Sequence, residues 1–216
     1  MNPRTLKQNM QGQAGIVEML VDEPTLSEGE KCMGVAVVAH PHPMFGGTMD
    51  NKVVQTLARA FVLAKWRAVR FNFRGVGQSQ GVYDEGRGEL QDLLDVIAHT
   101  APQESHEGGL ALAGFSFGSF VTSHAVQALF PARPIQKVVL VGTAASRFEV
   151  APMDAALHEH TLVLHGEEDD TVPLANVMDW ARPQSLPVTV IPGGGHFFHG
   201  QLPLLRSLVL RHLLSP

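Results

Sequence analysis

Two serines in the chain sit in the pattern G-x-S-x-G: Gly77-Gln78-Ser79-Gln80-Gly81 and Gly114-Phe115-Ser116-Phe117-Gly118. The pattern matters because a sharp strand-to-helix turn can present a serine oxygen as a nucleophile, and its tightness demands small residues on either side. Ser116 has the apolar run Leu110–Ala113 before it and the helical run Phe120–Leu129 after it. Ser79 follows Gly75-Val76-Gly77 and precedes Gly81-Val82-Tyr83-Asp84, with no helix onset, so it reads as a loop residue. A serine at a helix start is often only a cap. The remaining chemistry-bearing residues have to decide.

A serine hydroxyl is a weak nucleophile at neutral pH. It needs an imidazole to take its proton and a carboxylate to fix that imidazole's tautomer. The expected chain order is serine, then acid, then histidine. His196 and His199 compete for the base. His196 follows the Gly193-Gly194-Gly195 turn, which can aim a side chain back at the site, whereas His199 reads as a surface or capping residue at the start of the last helix. Glu167, Glu168, Asp169 and Asp170 are consecutive, and the residues alone leave the acid open among them. A charge run is usually a solvated loop. For a developing oxyanion, the Phe117 N–H lies at a helix start, where backbone donors are free and the dipole favours negative charge. A second donor is expected from the loop after the third strand, His40-Pro41-His42-Pro43-Met44. The two prolines have no N–H, which leaves His42 first and Met44 second. Gly46-Gly47 suits a close approach of the chain to the site. Two alternating histidines without a nearby acid or thiol make a poor metal site. No metal or cofactor is expected.

The elements that must position these groups alternate. Strand patterns fall at Ile16–Val21, Gly34–Ala39, Ala68–Phe73, Leu110–Ala113, Lys137–Gly142, Thr161–Leu164 and Val188–Ile191. Helical patterns fall at Asn51–Trp66, Glu89–Ala98, Phe117–Phe130, Pro173–Trp180 and Leu202–Leu214. Such alternation predicts an α/β fold with a mostly parallel central sheet and helices on both faces. Ligands then sit at the carboxyl ends of the strands. The hydroxyl, the acidic run and the imidazole all follow predicted strands.

The whole chain is consistent with this. Its 216 residues, 44% hydrophobic and 17% charged, suit one domain spanning residues 1–216. The net charge of -5 with no basic block argues against nucleic-acid binding. No apolar run approaches the roughly 20 residues that span a bilayer, and the first residues carry no secretory pattern. A cytoplasmic protein without membrane association is expected. The single cysteine, Cys32, cannot close an intrachain disulfide. Monomer and homodimer both remain open.

The blocks HPHPMFGGTMDNKVV, FNFRGVGQSQG, GFSFG, HGEEDDTVP and GGGHFFHG run in order from about residue 34 to residue 200. Together they resemble the small bacterial α/β-hydrolase superfamily proteins of the dienelactone-hydrolase and prolyl-oligopeptidase-like branch. In the pattern H-G-x-x-D-x-x-V-P, the resemblance puts the catalytic acid at Asp169 and the histidine at His196. It also implies an antiparallel hairpin from the N-terminal residues to about Val21. Dienelactone hydrolases use a cysteine where this chain has Ser116, which makes dienelactone an unexpected substrate. Larger relatives insert a helical lid between the sixth and seventh strands. Here only Thr143–His160 is available, enough for one or two helical turns, so no substantial lid is expected.

The resulting expectation is a carboxylesterase-like serine hydrolase acting on small or accessible acyl groups of small-molecule esters. Ser116, Asp169 and His196 would form the triad, with Phe117 and His42 as oxyanion donors. The same groups would serve a thioesterase, a peptidase-like hydrolase or a perhydrolase. A silent binding protein on the same fold is the reading from another class.

Overall fold

The computed structural model describes residues 4–103 and 108–215. Eight strands form one sheet in the order β1-β2-β4-β3-β5-β6-β7-β8. The first pair, β1 (Thr5–Gly12) and β2 (Gly15–Asp22), is the antiparallel hairpin implied above, and β2 also runs antiparallel to β4 (Arg67–Phe71). From β4 onward every pairing is parallel: β3 (Gly34–Ala39), β5 (Gly109–Phe115), β6 (Lys137–Val141), β7 (Thr161–Gly166) and β8 (Val188–Ile191).

The central strands read as unbroken apolar runs because both sheet faces are covered. All six residues of β3, the segment GVAVVA, are buried. Val35, Val37 and Ala39 point into one core, and Ala36 and Val38 into the other. The first core lies under α2 (Arg87–Thr100), α3 (Phe117–Leu129) and α4 (Leu174–Ala181). The second lies under α1 (Lys52–Leu63) and α5 (Leu202–Leu214). Each fully buried Val, Leu or Phe contributes about 1.5–3 kcal/mol relative to an exposed one.

Several boundaries differ from the sequence expectation, each for a local reason. Helix α1 starts at Lys52 because the Asn51 side chain caps it, accepting from the Val53 N–H at 2.8 Å. Strand β4 stops at Phe71, two residues early; the Asn72 N–H still donates to the Glu18 carbonyl, and its side chain bonds the Met49 N–H and the Glu18 carboxylate. Strand β5 is longer than its apolar core and runs directly into Ser116. The last helix keeps the expected bounds, Leu202–Leu214, which leaves His199 in the preceding turn and not at the helix start. Between β6 and β7 the only helical element is a 3-10 turn at Ala155–His160, and no lid covers the strand ends. No helix among the described residues is long and apolar enough to cross a membrane.

Candidate active site

Ser116 joins β5 to α3 with φ 56° and ψ -117°, a backbone conformation that side-chain-bearing residues seldom adopt. Such strain costs on the order of 1–3 kcal/mol and persists only when the surroundings enforce it. Here they do. The Ser116 N–H donates to the Val141 carbonyl at 2.8 Å. A Cβ on Gly114 would lie 2.3 Å from the Gly118 carbonyl oxygen, and one on Gly118 would lie 2.4 Å from that of Ala39. Only glycine fits at either position. Ser119, fully buried, holds the turn from below by accepting from the Val141 N–H at 3.0 Å.

His196 and Asp169 reach this serine from the ends of the two last strands. His196 Nε2 lies 3.0 Å from Ser116 Oγ, and His196 Nδ1 lies 2.7 Å from Asp169 Oδ2. A carboxylate only accepts, so Nδ1 carries the proton and Nε2 presents its lone pair to the serine hydroxyl. The other carboxylate oxygen, Oδ1, accepts from the N–H groups of Thr171 and Val172 at 3.0 and 2.7 Å. All three residues are buried. Burial pushes the Asp169 carboxyl up, but the bonds from His196 and Val172 outweigh it, and the net shift is downward. Asp169 is therefore ionised at neutral pH.

Its neighbours in the acidic run do other things. Glu167 accepts from the Gly193 N–H at 3.0 Å, which ties down the glycine turn before His196. Glu168 and Asp170 are exposed. His199 is exposed too and touches neither Ser116 nor Asp169 by any hydrogen bond. Beneath Asp169 sits His165, which the sequence analysis passed over. Its Nε2 donates to the Val172 carbonyl at 2.8 Å and lies 3.5 Å from Asp169 Oδ2. Burial holds His165 below the usual histidine range, so this contact is polar rather than an ion pair.

The loop after β3 forms the opposite wall. Its two imidazoles diverge, and both are already engaged. His40 Nδ1 donates to the Pro41 carbonyl at 2.6 Å, and its Nε2 accepts from the Phe73 N–H at 3.0 Å. His42 Nδ1 accepts from the Met44 N–H at 3.2 Å, and its Nε2 lies 3.2 Å from the Tyr83 hydroxyl. Met44 is thereby spent as a backbone donor. The N–H groups of His42 and Phe117 have no acceptor among the described residues. Their side chains pack together, with ring centroids 4.9 Å apart. A Cβ on Gly47 would lie 2.0 Å from the Pro41 carbonyl oxygen, which is the close approach expected there. Ser79, in the other G-x-S-x-G, is the loop residue expected, and a buried one. It accepts from the Glu18 N–H at 3.0 Å and donates to the Asn72 carbonyl at 2.7 Å.

A cavity of about 350 Å³ opens beside Ser116. His42, Phe45, Phe117, Phe148 and Phe197 give it aromatic walls.

A strained serine elbow at the carboxyl end of a parallel strand, with imidazole and carboxylate beyond later strands, is the arrangement of the α/β serine hydrolases. Residues 35–148, just over half of the chain, match the family described as X-Pro dipeptidyl-peptidase (S15 family). Over the whole chain, the structure superimposes on an α/β serine hydrolase without lid from Xanthomonas campestris, with TM-score 0.85, 31% identity and 99% of that chain covered. An α/β serine hydrolase homologue from Coxiella burnetii gives TM-score 0.79 and 34% identity, again covering all of this chain and 99% of the other. An uncharacterized protein of Rickettsia prowazekii is 30% identical over 185 residues, covering 76% of this chain and 71% of that protein. The chain belongs to the α/β serine hydrolases matched by the X-Pro dipeptidyl-peptidase (S15 family) pattern and stands among their small members without a lid.

Proposed function

We propose that this chain hydrolyses carboxylic esters of small or accessible acyl groups through an acyl-enzyme on Ser116. The observation that carries the reading is the continuous hydrogen-bonded line from Ser116 Oγ through His196 to Asp169, at 3.0 and 2.7 Å. On this reading His196 Nε2 takes the hydroxyl proton as Oγ adds to the carbonyl carbon. The oxyanion then falls to the unoccupied N–H groups of His42 and Phe117. The tetrahedral adduct collapses, the ester C–O bond breaks, and the alkoxide leaves with the proton from His196. Water repeats the cycle and releases the acid. Asp169 keeps Nδ1 protonated throughout and stabilises the imidazolium.

Peptide hydrolysis is a second reading, favoured by the family match. An enzyme that removes dipeptides from an amino terminus must hold a substrate ammonium group. No carboxylate lines the cavity among the described residues, and this favours esters. A serine-directed fluorophosphonate probe tests the shared chemistry. Labelling is expected in the wild type and in Ser79→Ala, and is expected to vanish in Ser116→Ala. Turnover of p-nitrophenyl esters but not of X-Pro p-nitroanilides would support the ester reading. The reverse preference would replace it with the peptidase.

A further inference from the structure

The cavity beside Ser116 has aromatic and apolar walls, and among the described residues Arg147 is the one lining residue with a permanent charge. It stands in the connection between β6 and β7, where a lid is absent. Its backbone N–H donates to the Ala144 carbonyl at 3.2 Å, which fixes the root of the side chain at the cavity rim. The guanidinium enters none of the ion pairs found among the described residues. Arg67, Arg70 and Arg74 are neutralised by Glu23, Asp22 and Asp92, whereas Arg59, Arg206 and Arg211 also enter no such pair but do not line this cavity. The charge of Arg147 is felt at the oxyanion loop. Burial first, and Arg147 second, hold the His42 imidazole below its usual range.

Arg147 is exposed and brings a guanidinium to the rim of a weakly polar cavity, on a chain of net charge -5. Its planar fork matches a carboxylate in a bidentate pair. Resting on the ester-hydrolase reading, we infer that Arg147 is a specificity residue, selecting esters that carry a carboxylate on their acyl or alcohol part.

The test uses two matched pairs. Mono-p-nitrophenyl adipate against p-nitrophenyl hexanoate places the charge on the acyl side. 4-Carboxyphenyl butyrate against 4-carbamoylphenyl butyrate places it on the leaving group. In the wild type, kcat/KM is expected to favour the charged member of at least one pair by about tenfold, the scale of one charge-assisted hydrogen bond. In Arg147→Gln that ratio collapses towards one, chiefly through KM, while Arg147→Lys keeps part of it. Added salt lowers the wild-type ratio, which gives a readout independent of any variant's folding. A charged-to-neutral ratio that is unchanged in Arg147→Gln, or that is insensitive to salt in the wild type, overturns the assignment. If no ester is turned over and Ser116 is not labelled, the hydrolase reading itself has failed and takes this inference with it.

Discussion

At the scale of single residues, the acidic run shows how environment sorts like side chains. Asp169 alone is buried, bonded to His196 and backed by two backbone N–H groups. Asp170 is exposed and meets only the Thr171 hydroxyl, at 3.3 Å. Asp169→Asn would let His196 adopt the wrong tautomer, because an amide can donate to Nδ1. We expect acylation to fall by about 10³–10⁴-fold, with Asp170→Asn close to wild type. Burst kinetics with p-nitrophenyl acetate check this, and a larger loss in Asp170→Asn would reverse the assignment. Ser116 and His196 were singled out because pattern and strand position agreed for each, whereas the residues alone left the acid open among four and only the family resemblance pointed to Asp169. Arg147 was not. One arginine in a loop carries no pattern, and its significance lies in which cavity it faces and in the ion pairs it does not make. Tyr83 and His165 were missed for the same reason, since each acts through a neighbour brought close only by the fold.

At the scale of elements, the loop after β3 is held to the chain beyond β4 by a buried imidazole as well as by the Met49–Asn72 bond. His40 donates to the Pro41 carbonyl and accepts from the Phe73 N–H. Protonation would turn the accepting nitrogen into a donor facing another donor. Burial accordingly pulls His40 down to about 4 from 6.5. A histidine depressed in the folded state is more protonated when unfolded, so stability is full above pH 6.5 and is lost as pH falls towards 4. The loss attributable to His40 is about 3 kcal/mol. His212, also held at about 4, adds to the same slope. Thermal melts are expected to show Tm falling through this window. His40→Gln should lower Tm at pH 7 yet flatten the slope, and an unaltered slope would remove His40 from the account. The sequence suggested a backbone oxyanion donor at His42 and no partner for either imidazole. Their real partners come from Phe73 and Tyr83, which no spacing rule brings together. The same limit applies to β4, whose alternation of AVRFNF continues through Phe73 while the strand ends at Phe71 and the buried Asn72 side chain turns to Glu18 and Met49. The unbroken apolar strands were legible because a segment covered on both faces leaves little choice of residue.

At the scale of the whole molecule, the sheet's carboxyl edge is uncovered, with Met44 66% and Phe45 75% exposed at its rim. A cavity of about 350 Å³ without a roof offers no enclosed apolar tunnel. Across p-nitrophenyl esters of rising chain length, kcat/KM is expected to peak at short acyl groups and to fall for palmitate, and a monotonic rise to palmitate would contradict the open-site account. The order of the chain has another consequence. The elbow and both candidate oxyanion donors come from the first 120 residues or so, whereas the acid and base follow β7 and β8 at one margin of the sheet. A nascent polypeptide leaving the ribosome would therefore expose its alcohol well before its imidazole. On the proposed roles it stays inert towards metabolites until residue 196 clears the exit tunnel and the final strands dock.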